Sequence, residues 1–112
     1  MELNIEERSD GVTRAALAGR MDIEGAQSVE MRMNVLSGLK RRLVIDLSEV
    51  SFMASMGLRA LMICARQQGA LGGHVALAGP QPGVAKVLDE SGIGDLIGVY
   101  PTVEAAAAAV SG

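Results

Sequence analysis

A short apolar stretch in the middle of the chain, LVIDL at residues 43–47, most constrains how the chain can fold. It is almost entirely apolar, and Val44 and Ile45 at its centre are β-branched. This pattern predicts a strand that other elements cover on both faces. Parallel strands of that kind need crossovers of about a dozen residues, which helices usually supply. The stretch therefore predicts an α/β fold.

The segments on either side extend this pattern. Residues 3–8 and 12–18 have extended character and are separated by the turn residues 9–11, so we predict an N-terminal β-hairpin. Beyond it, four helices are predicted to alternate with the buried strand and with two short strands at residues 74–78 and 97–100. The expected architecture is a mixed β-sheet, an N-terminal hairpin followed by alternating α and β elements, with covering helices.

Several predicted helix ends are marked by capping or helix-breaking residues. Residues 19–22 are expected to break the hairpin, and Asp22 can accept a hydrogen bond from the first turn of the next helix, which Gly38 ends. The second helix is predicted from near Ser55 to about Gln68, and the last begins at Thr102. The buried face of the first helix is expected to hold Ala26, Val29, Met33 and Leu36.

Length, charge and cysteine content exclude several classes of protein. At 112 residues the chain is expected to form one small domain, residues 1–112. The formal charge of -3 argues against binding nucleic acid, and no apolar run approaches the roughly 20 residues that cross a membrane. Cys64 has no cysteine partner, and the acidic, polar start does not read as a secretory signal, which together favour a reducing cytoplasm.

The stretch SFMASMGLRAL, residues 51–61, places a serine where an extended segment passes into a helix. Two roles are open for Ser55. Its hydroxyl can cap the helix by accepting a hydrogen bond from a backbone amide. The free amides of the helix start would also accommodate a phosphate, within reach of Arg59 one turn later, and the added charge of about −1.5 to −2 would weaken contact with a partner.

The second helix also carries two apolar stripes. The stripe expected to face the core holds Leu58, Leu61, Met62 and Ala65. Met56, Ala60 and Ile63 follow at three- and four-residue steps on roughly the opposite face, where a helix with one buried face should be polar. This second stripe indicates either a surface that another protein covers or a contact with a neighbouring element of the same chain.

The chain shows no constellation typical of a catalytic, metal or cofactor site, so we expect neither an enzyme nor a cofactor. His74 lacks the partners of a triad or metal site, and Cys64 is expected to be an inert buried thiol. Residues 79–83, GPQPG, lack the Lys-Ser/Thr of a phosphate-binding loop. Asp46 is expected to be hydrogen-bonded structure or part of a polar floor beneath Ser55.

Residues 43–61, LVIDLSEVSFMASMGLRAL, resemble the signature of STAS domains of the anti-sigma factor antagonist type. Residues 19–22, GRMD, resemble the Gly-x-x-Asp that closes the second strand in that family. In the family the turn usually reads Asp-Ser-Ser/Thr-Gly, and a cognate anti-sigma kinase phosphorylates the serine after the aspartate. Here Ala54 stands at the aspartate position, Ser55 at the phosphoacceptor position and Met56 at the second hydroxyl position.

The resemblance implies a non-catalytic bacterial protein that binds an anti-sigma factor with kinase activity and so frees a sigma factor for transcription. The phosphoacceptor would be Ser55, and the partner-binding residues would be Asp22, Met56, Gly57, Arg59, Ala60 and Ile63. With Ala54 and Met56 in the turn, regulated phosphorylation and constitutive binding are both open. One alternative is a STAS subunit of a lipid-trafficking ABC transporter that binds its ATPase without phosphorylation. A small enzyme or ligand carrier is the other.

Overall fold

Five strands form one sheet in the order β1-β2-β3-β4-β5 in the structure, a computed structural model that describes residues 1–111. The first two strands are antiparallel and every other neighbouring pair is parallel. The predicted mixed sheet with an N-terminal hairpin is therefore confirmed. The strands are β1 (Glu2–Glu7), β2 (Thr13–Met21), β3 (Arg42–Met53), β4 (His74–Ala78) and β5 (Gly98–Tyr100).

Four helices cover the two faces of this sheet unequally. The first three helices pack on one face over the larger core. The last helix packs on the other face, against β3 and β4. A short 3₁₀ turn, Ile93–Asp95, was not predicted from the sequence. The helices are α1 (Ile23–Leu39), α2 (Ser55–Ala70), α3 (Pro82–Ser91) and α4 (Val103–Ser111). No helix within residues 1–111 has the length and hydropathy needed to cross a membrane.

The predicted helix caps at Asp22 and Thr102 are confirmed. The carboxylate of Asp22 accepts a hydrogen bond of 2.8 Å from the backbone N–H of Gly25, and the hydroxyl of Thr102 accepts one of 3.1 Å from Ala105. These bonds satisfy amides that have no partner within the helix. The four residues predicted for the buried face of α1 are all buried.

Both central strands are longer than predicted. The sequence predicted a strand over residues 43–47 and a break at residues 19–22, whereas β3 runs on to Met53 and residues 19–21 continue β2 beside it. Two register shifts each give β3 an extra residue, so its buried residues come at steps of three from the end of the predicted strand onward. Those residues are Leu47, Val50 and Met53.

The extension of β3 projects Ser55 beyond the rest of the sheet. Asp46 pairs with Ala78, the last residue of β4, and β3 continues for seven residues after that pair. Over this length β3 pairs only with β2, and α2 begins two residues after Met53. The start of α2 therefore lies at the projecting end of the β2–β3 pair.

Candidate functional site

Ser55 is the first residue of α2, and its side chain is exposed. The cap position belongs to Ala54, whose backbone is extended and whose N–H donates to the carbonyl of Met21 at 3.0 Å. That bond holds Ala54 to the end of β2, so the helix begins one residue earlier than a serine cap at position 55 requires. The prediction that Ser55 caps the helix is wrong. Its hydroxyl forms no hydrogen bond to any residue from 1 to 111.

Gly57 brings the first turn of α2 close to the ends of β2 and β3. A Cβ at this position would lie 2.7 Å from the sulfur of Met53 and 2.8 Å from Cγ of Met21. A Cβ carbon does not approach a non-bonded carbon or sulfur atom this closely, so only glycine fits here without rearrangement. Gly57 is buried. Its own atoms therefore face the core, and its effect on the candidate site is to place Ser55 and Met56.

Met56, Ala60 and Ile63 are half-buried and face α1. They line a groove of about 100 Å³ between the two helices, which we call the α1–α2 groove. The residues lining this groove are Ala26, Gln27, Glu30, Met56, Arg59, Ala60 and Ile63. The expectation that this stripe lies opposite the core is thus corrected, since a neighbouring helix flanks it and leaves it partly open.

The core face of α2 is displaced from the one predicted. Leu61 is fully buried, but Leu58, Met62 and Ala65 are only half-buried against the core. The other fully buried residues of the helix are Gly57, Cys64 and Gln68. Successive residues of a helix point about 100° apart. A small rotation of the core-facing side therefore buries residues next to those that were predicted and leaves the predicted ones only half-buried.

Two charged residues belong to the helix starts near Ser55, Arg59 in α2 and Asp22 at the cap of α1. Arg59 is exposed one turn further along α2, and no ion pair joins it to another residue in the described part of the chain. Asp22 caps α1, and its second carboxylate oxygen lies 3.7 Å from Nε of Arg20. The end of the sheet therefore presents both charges, with Arg59 uncompensated.

Arg20 and Phe52 form a surface pair that the sequence did not identify. They are neighbours in the β2–β3 register, and the guanidinium carbon lies 4.4 Å from the centre of the phenyl ring. Phe52 is 39% exposed, three residues before Ser55. Phe52 is one of only two aromatic residues in the chain, and this rarity was the available signal.

Asp46 lies within β3 and has a structural role. Its carboxylate accepts a hydrogen bond of 3.0 Å from the N–H of Ser48 and pairs with Nη2 of Arg14 at 2.7 Å. Burial opposes the charge, but these partners outweigh it and hold the pKa of Asp46 below its ordinary value. Asp46 pairs with the last residue of β4 and lies seven positions before the end of β3, so the alternative of a polar floor beneath Ser55 is wrong.

The remaining candidates show no arrangement for catalysis or metal binding. Cys64 is buried, and burial raises the pKa of its thiol despite a hydrogen bond with Ser37. His74 is exposed at the first residue of β4. Within residues 1–111, no three His, Cys, Asp or Glu side chains come close enough together to hold a metal ion.

Comparison with known proteins identifies the family. The STAS domain profile matches residues 5–106. The candidate anti-sigma factor antagonist BtrV of Bordetella bronchiseptica is 32% identical over 111 residues, covering 97% of this chain and 94% of that protein. The anti-sigma F factor antagonist of Paenibacillus polymyxa is 30% identical over 105 residues, covering 89% and 88%. The chain belongs to the STAS domain family, as the resemblance of residues 43–61 predicted.

Solved structures agree with this assignment. The crystal structure of an anti-sigma factor antagonist from Mycobacterium paratuberculosis is 26% identical, with a TM-score of 0.90 over 99% of this chain and 94% of that one. The STAS domain of a SulP transporter from Vibrio cholerae is 29% identical, with a TM-score of 0.66 over 86% and 78%. The fold therefore occurs both in antagonists and in a transporter, and it does not by itself select a partner.

Proposed function

We propose that the chain is an anti-sigma factor antagonist that acts in the cytoplasm by binding and not by catalysis. The surface around Ser55 binds an anti-sigma factor and thereby frees a sigma factor for transcription. The observation that carries this proposal is the exposed hydroxyl of Ser55 at a projecting helix start, next to a partly open apolar groove. The names of the two relatives that match most of the chain support the same role.

The proposed contact surface consists of the α1–α2 groove and the residues at the helix starts beside it. Met56 and Ile63 offer half-buried apolar area, and removing such area from water favours formation of a complex. Arg59 and Asp22 add charge at the rim. Gly57 holds the first turn of α2 in place. Interfaces commonly combine an apolar centre with a charged rim in this way.

We further propose that the anti-sigma factor is a kinase that phosphorylates Ser55 and that phosphorylation weakens the complex. The first amides of a helix and its positive dipole end favour an anion, so the phosphate is accommodated within the chain itself. Its added charge of about −1.5 to −2 would then have to be desolvated against the partner. Ala54 replaces the family's aspartate next to the acceptor but leaves the hydroxyl itself exposed.

Calorimetric titration with a purified anti-sigma factor of the same organism tests the proposed role. We expect a stable complex and release of a bound sigma factor. Met56→Glu or Ile63→Glu places a charge in the groove and should weaken binding by about 30-fold or more, the size of a 2 kcal/mol hot spot. Met31→Glu, on the exposed outer face of α1, is the matched control. Undiminished binding by folded Met56→Glu and Ile63→Glu proteins would refute the proposed surface.

Intact mass measured after incubation with that anti-sigma factor and ATP tests the modification. We expect one added phosphate on the native chain and none on Ser55→Ala. No added phosphate, or phosphate on another residue, contradicts the proposed phosphorylation of Ser55. The proposed binding is tested separately, by the calorimetric titration. Specific binding to the ATPase of a lipid-trafficking ABC transporter, with no binding to the anti-sigma factor, would instead support the alternative role as a transporter subunit.

A further inference from the structure

The α1–α2 groove has opposite charges at its two rims. Glu30 on α1 and Arg59 on α2 are both exposed and both line the groove. Neither has an ion-pair partner within 4 Å in the described part of the chain, and they do not pair with each other. The groove therefore offers one uncompensated negative and one uncompensated positive group to whatever occupies it.

The floor between these charges is apolar and small. Ala26, Met56, Ala60 and Ile63 contribute aliphatic surface, and the volume is about 100 Å³. An engineered cavity of about 150 Å³ holds one benzene molecule, so a groove of this size suits a single aliphatic side chain. Met56 can adapt to such a side chain because it is unbranched and flexible.

Arg59 also stands one helical turn from Ser55. Side chains at i and i+4 of a helix are neighbours, and an arginine pairs strongly with a phosphate. A phosphate on Ser55 therefore draws the guanidinium of Arg59 toward the start of α2. No carboxylate of residues 1–111 lies within 4 Å of Arg59 to compete for it.

We propose that the α1–α2 groove seats one leucine- or methionine-sized side chain of the anti-sigma factor, flanked by a basic residue against Glu30 and an acidic residue against Arg59. A phosphate on Ser55 removes Arg59 from this rim and so weakens the contact. This inference rests on the proposed function and adds the chemistry of the partner segment. Arg59 is the residue through which the modification acts on the groove.

Charge reversal tests the rim. Arg59→Glu and Glu30→Lys are each expected to weaken binding to the anti-sigma factor about 10-fold or more, measured by calorimetry. Arg66→Glu on α2 and Glu90→Lys on α3 are exposed, lie outside the groove and serve as controls with little effect. Ala60→Leu fills the floor and should weaken binding to a similar extent, whereas Ala70→Leu, exposed at the end of the same helix, should not. Thermal unfolding of each variant establishes that it is folded.

Phosphoserine incorporated genetically at residue 55 tests the second half of the proposal without a partner. In a ³¹P NMR titration, we expect the second ionisation of the phosphate to occur at lower pH in the native background than with Arg59→Gln. Identical titrations in the two backgrounds would overturn the role of Arg59.

The outcomes separate the two proposals. If the native chain does not bind the anti-sigma factor, the proposed function fails and the inference fails with it. If the native chain binds and the folded Arg59→Glu, Glu30→Lys and Ala60→Leu proteins bind equally well, only the groove inference is overturned.

Discussion

Gly57 shows how one residue controls the position of the candidate site. The first turn of α2 lies so close to Met21 and Met53 that no Cβ fits, and the residues exposed by this turn are Ser55 and Met56. A larger residue would have to displace the side chains of Met21 and Met53 or lift the helix start from the sheet. The proposed partner surface would then move together with the turn.

Gly57→Ala is expected to lower the free energy of unfolding by about 1–3 kcal/mol, the usual cost of overpacking. Gly69→Ala is the matched control, because Gly69 lies in the same helix with nothing within 4 Å of its added Cβ. That change should raise stability by about 0.5–1 kcal/mol through the higher helix propensity of alanine. Urea unfolding measures both. Equal effects of the two substitutions would contradict the close approach at Gly57.

Asp46 makes a pH-dependent contribution to stability. Its pKa is lowered in the folded chain, so the carboxylate stabilises the fold above its ordinary pKa of 3.8. This contribution is lost as the pH falls from that value through the lowered pKa. We expect Asp46→Asn to reduce the fall in the free energy of unfolding below about pH 4. We expect Arg14→Gln to raise the pKa of Asp46, measured by ¹³C NMR titration, because the ion pair is lost. An unchanged pKa in Arg14→Gln would contradict the ion pair.

At the scale of elements, the buried side chain of Gln68 joins the ends of α1 and α2. Its amide nitrogen donates to the carbonyls of Ser37 and Lys40, while the hydroxyl of Ser37 donates to the neighbouring Gln67 at 2.6 Å. The oxygen of Gln68 has no hydrogen-bond partner among residues 1–111. These bonds fix the two helices side by side, and the α1–α2 groove lies nearer their starts.

Gln68→Met keeps the length of the side chain but removes the donor. The carbonyls of Ser37 and Lys40 then lose a partner, and we expect a loss of stability toward the lower end of about 1–3 kcal/mol, because the unpaired oxygen is removed as well. Gln27→Met, exposed on α1, should change stability by about 0.5 kcal/mol or less. Chemical denaturation compares the two. A Gln68→Met protein as stable as the Gln27→Met control would show that the bridge contributes nothing.

The sequence predicts elements well where their periodicity is regular. Residues 74–78 and the capped helix starts at Asp22 and Thr102 agree with the structure because local spacing and a side-chain cap determine them. The far half of β3 was missed because two bulges replace its two-residue alternation by steps of three. The cap role, one of the two open for Ser55, could not be excluded from the sequence because the bond from Ala54 to Met21 is a contact between distant segments.

At the scale of the whole molecule, the unequal lengths of the strands separate the site from the rest of the domain. β2 and β3 project beyond β4, and the start of α2 lies at that projecting end, away from α4 on the other face. The order of strands and helices could be predicted from the sequence, because alternating patterns require helical crossovers. The position of the α1–α2 groove could not, because it depends on how two helices pack side by side.

The affinity of the anti-sigma factor for the chain with and without a phosphate on Ser55 is the most direct test of the central claim. Calorimetry would compare the native chain with the chain carrying phosphoserine at residue 55, at one salt concentration. We predict that the phosphate weakens binding about 10-fold or more, which corresponds to about 1.4 kcal/mol. Equal affinities for the two forms would contradict the claim that the surface around Ser55 is where the partner binds.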